Sequence, residues 1–234
     1  MRKMTLIAIL TLLAIGGSLA VAGPVELFEY AFNVNGTFAH NALPVVGGTT
    51  INTAGFDFTT GLGTISINYN PGTTGNKFLI IWLNLDSDSA NNTFFNEYGS
   101  VNGSAPAGLT WEIDEPGYVF GDIFNNVMNG SLDNTNGVPS ATPDDVSVAI
   151  GWNFNLAAGE SAVMTLNVGT SKPAGFSIQQ TDPDTPVDIY LSSGLKINGG
   201  GQPPVIPEPS TMVLLGGGLG ACLLLRKRFG GRLV

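Results

Sequence analysis

Between residues 23 and 198 the chain alternates apolar and polar positions in short runs separated by turn residues. Leu27 to Val34 predicts a first strand. Thr50 to Phe58 carries Phe56 and Phe58 on one face, and Thr64 to Tyr69 carries Ile65, Ile67 and Tyr69. Period-two alternation of this kind belongs to half-buried strands. Gly61 to Gly63 supplies the turn between these two runs, and Asn70-Pro71-Gly72 marks another. Leu79, Ile80, Ile81 and Trp82 stand in a row, so residues 78–85 predict a central strand buried on both faces.

The middle of the chain is less regular. Residues 86–108 are rich in Asn, Ser and Gly and predict a long surface connection, with a short strand around Trp111 after it. Phe120, Ile123, Phe124, Val127 and Met128 fall at helical spacing, bounded by Pro116 and Gly130. Residues 129–144 again read as a polar loop. Val146, Val148, Ile150, Trp152, Phe154 and Leu156 alternate without a break and predict a long strand with one apolar face. Ala158-Gly159 is read as its turn, and Met164, Leu166 and Val168 as its hairpin partner. Two further strands are expected at 176–179 and 187–197. The pattern predicts an all-β domain, an antiparallel β-sandwich with one short helix.

The two ends follow different rules. Arg2 and Lys3 precede an apolar run from Thr5 to Ile15, and Ala20-Val21-Ala22 meets the small-x-small cleavage rule. Residues 1–22 thus predict a secretory signal peptide with cleavage set by Ala20 and Ala22, leaving Gly23 as the new N-terminus. The sandwich then occupies 23–198, and residues 199–206 form a Gly/Pro tether. At the other end, Pro207-Glu208-Pro209-Ser210 precedes an uncharged run, 211–225, and then Arg226-Lys227-Arg228. As a helix this run spans roughly 22 Å, short of the ~30 Å hydrocarbon core, so length alone leaves a buried core helix in competition. The tribasic cluster decides for a membrane span with a cytoplasmic stop at Arg226, Lys227 and Arg228. Cys222, the single cysteine, lies inside this run and reads as a small apolar residue.

A Pro-Glu-Pro box, a short Gly-rich apolar helix and a terminal basic cluster, in that order, resemble the PEP-CTERM sorting signal of exopolysaccharide-producing Gram-negative bacteria. The same tail also goes under the label of an ice-binding protein C-terminal domain, which gives no reason to expect ice binding. The resemblance implies that an exosortase, an integral-membrane transpeptidase-like enzyme, recognises Pro207, Glu208 and Pro209 and removes the helix. Gly151-Trp152, 156–161, 180–184 and 190–193 are similar to a recurrent ending of such ectodomains, and that likeness carries no activity with it.

Charge narrows the chemistry. Six of the nine basic residues lie in the end segments. Residues 23–198 keep three lysines, no arginine and 17 of the 18 acidic residues, a formal charge of −14. Nucleic acid is excluded as a partner, since its affinity rests on Lys and Arg at phosphates. A single histidine, His40, and no cysteine in the central region leave little for nucleophilic catalysis, and neither a Gly-x-Ser-x-Gly nor a His-Glu-x-x-His motif is present. His40 is read as a loop residue and no enzyme is expected. Asp86 and Asp88 stand eleven and nine residues before Glu97, a spacing similar to a Ca²⁺ loop that lacks its glycine. Asp182 and Asp184, or Asp144 and Asp145, are further hard oxygen donors. The competing reading is that Asp suits turns. Trp82, Trp111 and Trp152 are possible sugar platforms, with core packing as the other reading. The expected function is structural or adhesive, at the cell surface or in the matrix, in association with exopolysaccharide. The alternatives are a Ca²⁺-dependent carbohydrate-binding module and a surface glycan hydrolase. The expected partners are the secretion machinery, the exosortase and, transiently, the inner membrane.

Overall fold

The computed structural model describes residues 25–87, 93–117, 120–185 and 187–199. The signal segment with Ala20, Ala22 and Gly23, the tether beyond 199, the sorting box, the run 211–225, the basic stop and Asp88 all lie outside the described residues. Eleven strands are described: β1 (Glu26–Val34), β2 (Thr37–His40), β3 (Thr49–Phe56), β4 (Gly63–Tyr69), β5 (Gly75–Asp86), β6 (Tyr98–Asn102), β7 (Leu109–Asp114), β8 (Ser147–Leu156), β9 (Ser161–Gly169), β10 (Ser177–Thr181) and β11 (Ile189–Asn198). A single helix, α1 (Ile123–Asn129), stands between β7 and β8, and a 3₁₀ turn covers Phe94–Asn96.

The strands form two antiparallel sheets. One runs β2-β1-β5-β8-β7 and the other β3-β4-β9-β11-β10-β6. Their inner faces supply one hydrophobic core, with Phe32, Leu79, Ile81 and Leu83 from the first sheet against Ile65, Ile67, Met164 and Leu166 from the second. The period-two pattern produces this directly, because alternate side chains share a face. The all-β sandwich with one short helix is therefore the observed fold.

A second, smaller core lies on the outer face of the five-stranded sheet. There α1 buries Ile123 and Val127 against Ala31, Ile80, Trp82 and Ala149. This is why β5 is apolar on both sides and why β8 carries small residues at 149 and 151. The expected helical stripe is narrower than its pattern. Phe120 precedes the first turn and is 67% exposed, and Met128 is 44% exposed.

Four other expectations are corrected. β8 and β9 do not form a hairpin: β5 and β7 already bond both edges of β8, so residues 157–160 carry the chain across to the other sheet. β8 is buried on both faces through Trp152, not on one. Residues 86–108 are not all loop, since β6 lies within them and pairs with β10. The inward position of β6 is Gly99, where a Cβ would come within 2.3 Å of Ile113 Cγ2. A neighbouring isoleucine fills the space that an apolar side chain would have signalled. His40 ends β2 opposite Ala31, and its ring packs on Trp82 and Phe124. It is a strand residue rather than a loop residue.

Asn33 fastens the helix to the sheet. It is fully buried, and its Nδ2 donates to the carbonyls of Val127 at 2.8 Å and Met128 at 3.0 Å, while Oδ1 accepts from Gly36 N. A strand side chain thus satisfies carbonyls that the end of a helix leaves open. Gly130 completes the stop in a left-handed conformation, with φ of 76°, donating back to Asn126 and Val127. Glu112 is buried beneath the same helix, accepting from Asn126 Nδ2 and from Asp133 N. Burial, with the nearby charges of Asp133 and Asp122, pushes its carboxyl up from 4.5 to about 7.

Asn33→Ala removes the side-chain donor to the Met128 carbonyl, one of the two donors to the Val127 carbonyl and the acceptor of the Gly36 amide, so chemical denaturation should show a loss of roughly 1–3 kcal/mol. Glu112 binds its proton more tightly folded than unfolded, so its contribution to stability falls as pH rises from 4.5 through about 7. Thermal midpoints measured across that window should decline less steeply in Glu112→Gln than in the natural protein. Parallel slopes would contradict the assignment.

Candidate functional site

Strand register gathers the acidic residues at one end of the sandwich. β6 and β10 pair Tyr98 with Thr181, and one step further places Glu97 opposite Asp182. β5 and β8 pair Asn84 with Ser147, and two steps further places Asp86 opposite Asp145. The main chains of Glu97 and Asp144 bridge, with Asp144 N donating to Glu97 O at 3.0 Å. Acidic residues that are remote in sequence therefore meet where the two sheets approach each other.

Asp86, Glu97 and Asp182 are all buried, and each offers a carboxylate oxygen lying within 4.8 Å of the others. Glu97 is 1% exposed. Its Oε2 accepts from Gln180 Nε2 at 2.7 Å, and the same nitrogen donates to Leu85 O at 2.6 Å. Asp182 Oδ1 accepts from Asp184 N at 2.8 Å and Oδ2 from the Ser87 hydroxyl at 3.3 Å. Asp184 itself is exposed and lies outside the group, accepting from Asn96 Nδ2 at 2.8 Å. The structure thus joins Asp86 and Glu97 to Asp182 and leaves Asp184 in a supporting turn.

The electrostatics are one-sided. Burial first, and then the charges of Asp86, Asp182 and Asp145, push Glu97 up to about 9, against the lowering effect of Gln180. Burial, with Asp144, Asp86 and Glu115, pushes Asp145 up to about 6. Among the described residues the one ion pair joins His40 to Glu29 at 3.6 Å. Lys77 donates to Thr73 and Lys172 to Asn102, so neither answers the acidic end.

Outside this group lies a cleft of about 310 Å³ lined by Phe95, Phe120, Pro116, Glu115, Asp144 and Asp145. A second groove of about 550 Å³ crosses β5 and β8 at the other end of the domain. Asn35, Asn76, Asn153 and Asn155 surround Phe78 there, and Asn155 Nδ2 donates to Asn76 Oδ1 at 3.0 Å. Asn76, Asn153 and Asn155 are exposed on the part of the outer sheet face that α1 leaves open. The tryptophans are elsewhere. Trp82 and Trp152 are buried, with their Nε1 atoms on Ser147 and Ser193, and Trp111 is half-buried beside Phe176.

Gln180, Glu112 and the groove asparagines were not legible as functional residues. Each sits at an ordinary strand position, and only the register reveals its neighbours. The signal for Gln180 is its place in β10, where a polar residue takes a fully buried position.

Comparison with curated proteins and with solved structures gave no match. The family comparison matched residues 205–228 to the PEP-CTERM protein-sorting motif. These residues contain Pro207, Glu208 and Pro209, followed by the apolar run and Arg226-Lys227-Arg228. The chain therefore carries a PEP-CTERM protein-sorting motif, which marks it as an exported protein processed by an exosortase.

Proposed function

We propose that the mature protein is a structural or adhesive component of the cell surface or extracellular matrix of a Gram-negative bacterium, held in association with exopolysaccharide. The sorting motif supports the destination. Residues 1–22 act as the export signal, and 211–225 hold the precursor in the inner membrane until it is processed. The observation that carries the adhesive role is the amide-lined groove around Phe78. Asparagine side chains offer a donor and an acceptor each, which suits sugar hydroxyls, and an aromatic floor suits the apolar face of a sugar ring. A formal charge of −14 keeps the domain soluble and disfavours anionic surfaces.

A second reading rests on the acidic cleft. Glycan hydrolysis needs two carboxyls, one with a raised pKa, and Asp145 at about 6 beside Glu115 and Asp144 has that character. We favour binding, because the groove sets several exposed asparagine amides around one aromatic ring.

Intact mass of the protein from its host should show a chain from Gly23 to a point close to Pro209, and this species should vanish when the exosortase is deleted. A chain that keeps 211–234 in both strains would make the tail a plain anchor. Co-sedimentation with the host polysaccharide should retain the natural protein. The Asn153→Ala/Asn155→Ala double variant should bind about tenfold less, the equivalent of two neutral hydrogen bonds. Incubation with the polysaccharide should release no reducing ends. Release that Asp145→Asn abolishes would favour the hydrolase instead.

A further inference from the structure

We infer that Asp86, Glu97 and Asp182, together with the side-chain oxygen of Gln180, form a calcium site that ties the edges of the two sheets together. The site goes beyond the adhesive reading and does not depend on it. Asp86 closes β5 of the five-stranded sheet, while Glu97 and Asp182 adjoin β6 and β10 of the six-stranded one. Gln180 already spans the gap through Leu85 O and Glu97 Oε2. A cation at this point would be held by both sheets.

The unpartnered atoms point to a cation. Among the described residues six buried side-chain polar atoms have no hydrogen-bond partner, and three of them are oxygens on Asn96, Glu97 and Gln180. Glu97 and Gln180 are each 1% exposed. These oxygens have room for a further partner, and no lysine or arginine of the described residues forms an ion pair with Glu97. Buried carboxylates without a counter-charge are costly, and they survive in proteins by pairing, by protonation or by coordinating a metal.

The donor set selects the metal. Every available atom is a hard oxygen, and neither His nor Cys is in the group. Calcium binds at 2.3–2.6 Å, so ligands on opposite sides of it stand roughly 4.6–5.2 Å apart. The carboxylate oxygens here lie within 4.8 Å of one another. Magnesium keeps most of its water and avoids dry, all-protein cages. The second acidic group, Glu112, Asp114 and Asp122, is different, since Glu112 is satisfied by Asn126 and Asp133 and Asp114 Oδ2 by Asp122 N.

The test is calorimetric titration of CaCl₂ into the chelator-stripped full chain. One ion per chain should bind with Kd below about 1 mM, as in extracellular modules. CaCl₂ should raise the thermal midpoint more than MgCl₂ does. Glu97→Gln and Asp182→Asn should each weaken binding at least about tenfold, and Glu112→Gln should leave it unchanged. Should a variant fail to fold, the Gln180 side-chain amide resonance of the natural protein decides: it should shift in step with saturation. No saturable uptake by about 10 mM CaCl₂, binding untouched in both carboxylate variants, or saturation without movement of Gln180 would each overturn the site.

Discussion

Two sheet faces that must stay out of water hold this domain together. The central region has no cysteine, so no disulfide shares the task. Stability rests on closing β5 and β8 over β4 and β9, and every inward position of these strands is apolar through the middle of the core. The demand extends to the outer face, where Ile80, Trp82 and Ala149 require a lid. Helix α1 provides it, and Asn33 secures it by bonding directly to the end of the helix.

The same closure creates the electrostatic difficulty at one end. There β5 of one sheet finishes in Asp86, while Glu97 precedes β6 and Asp182 follows β10 of the other, and all three side chains are buried from water. With three lysines in the whole central region, the chain has little positive charge to spend on neutralising them. A cation at the proposed site would resolve the difficulty and fasten the two sheets at the point where the apolar core ends. This explains why a turn so rich in polar hydrogen bonds, Asp182 to Thr185, sits against the base of β5 rather than in solvent.

Sandwich class was legible because period-two alternation survives in β1, β4, β8 and β9. The corrections have separate causes. β6 hides because Ile113 occupies the room above Gly99. The β8–β9 crossover hides because a short Gly turn looks alike whether it joins neighbours in one sheet or passes between two. Of the candidate site, the acidic residues could be named from the chain, but their grouping could not. Asp86 to Glu97 was read as one loop and Asp182 to Asp184 as another, and only the β6–β10 register brings Glu97 opposite Asp182. Gln180 carried no motif at all. The address was more legible than the site because a sorting motif is read as sequence by its enzyme, whereas a site is assembled by folding.

Native mass spectrometry of the processed protein, taken from its host without chelator, goes to the heart of this picture. A closed sandwich whose acidic end is neutralised by metal should fly as a single species carrying one calcium per chain, and should lose the ion only with chelation or unfolding. A metal-free mass from cells grown in calcium-replete medium, with the domain equally stable before and after chelation, would mean that protons alone keep those carboxylates buried.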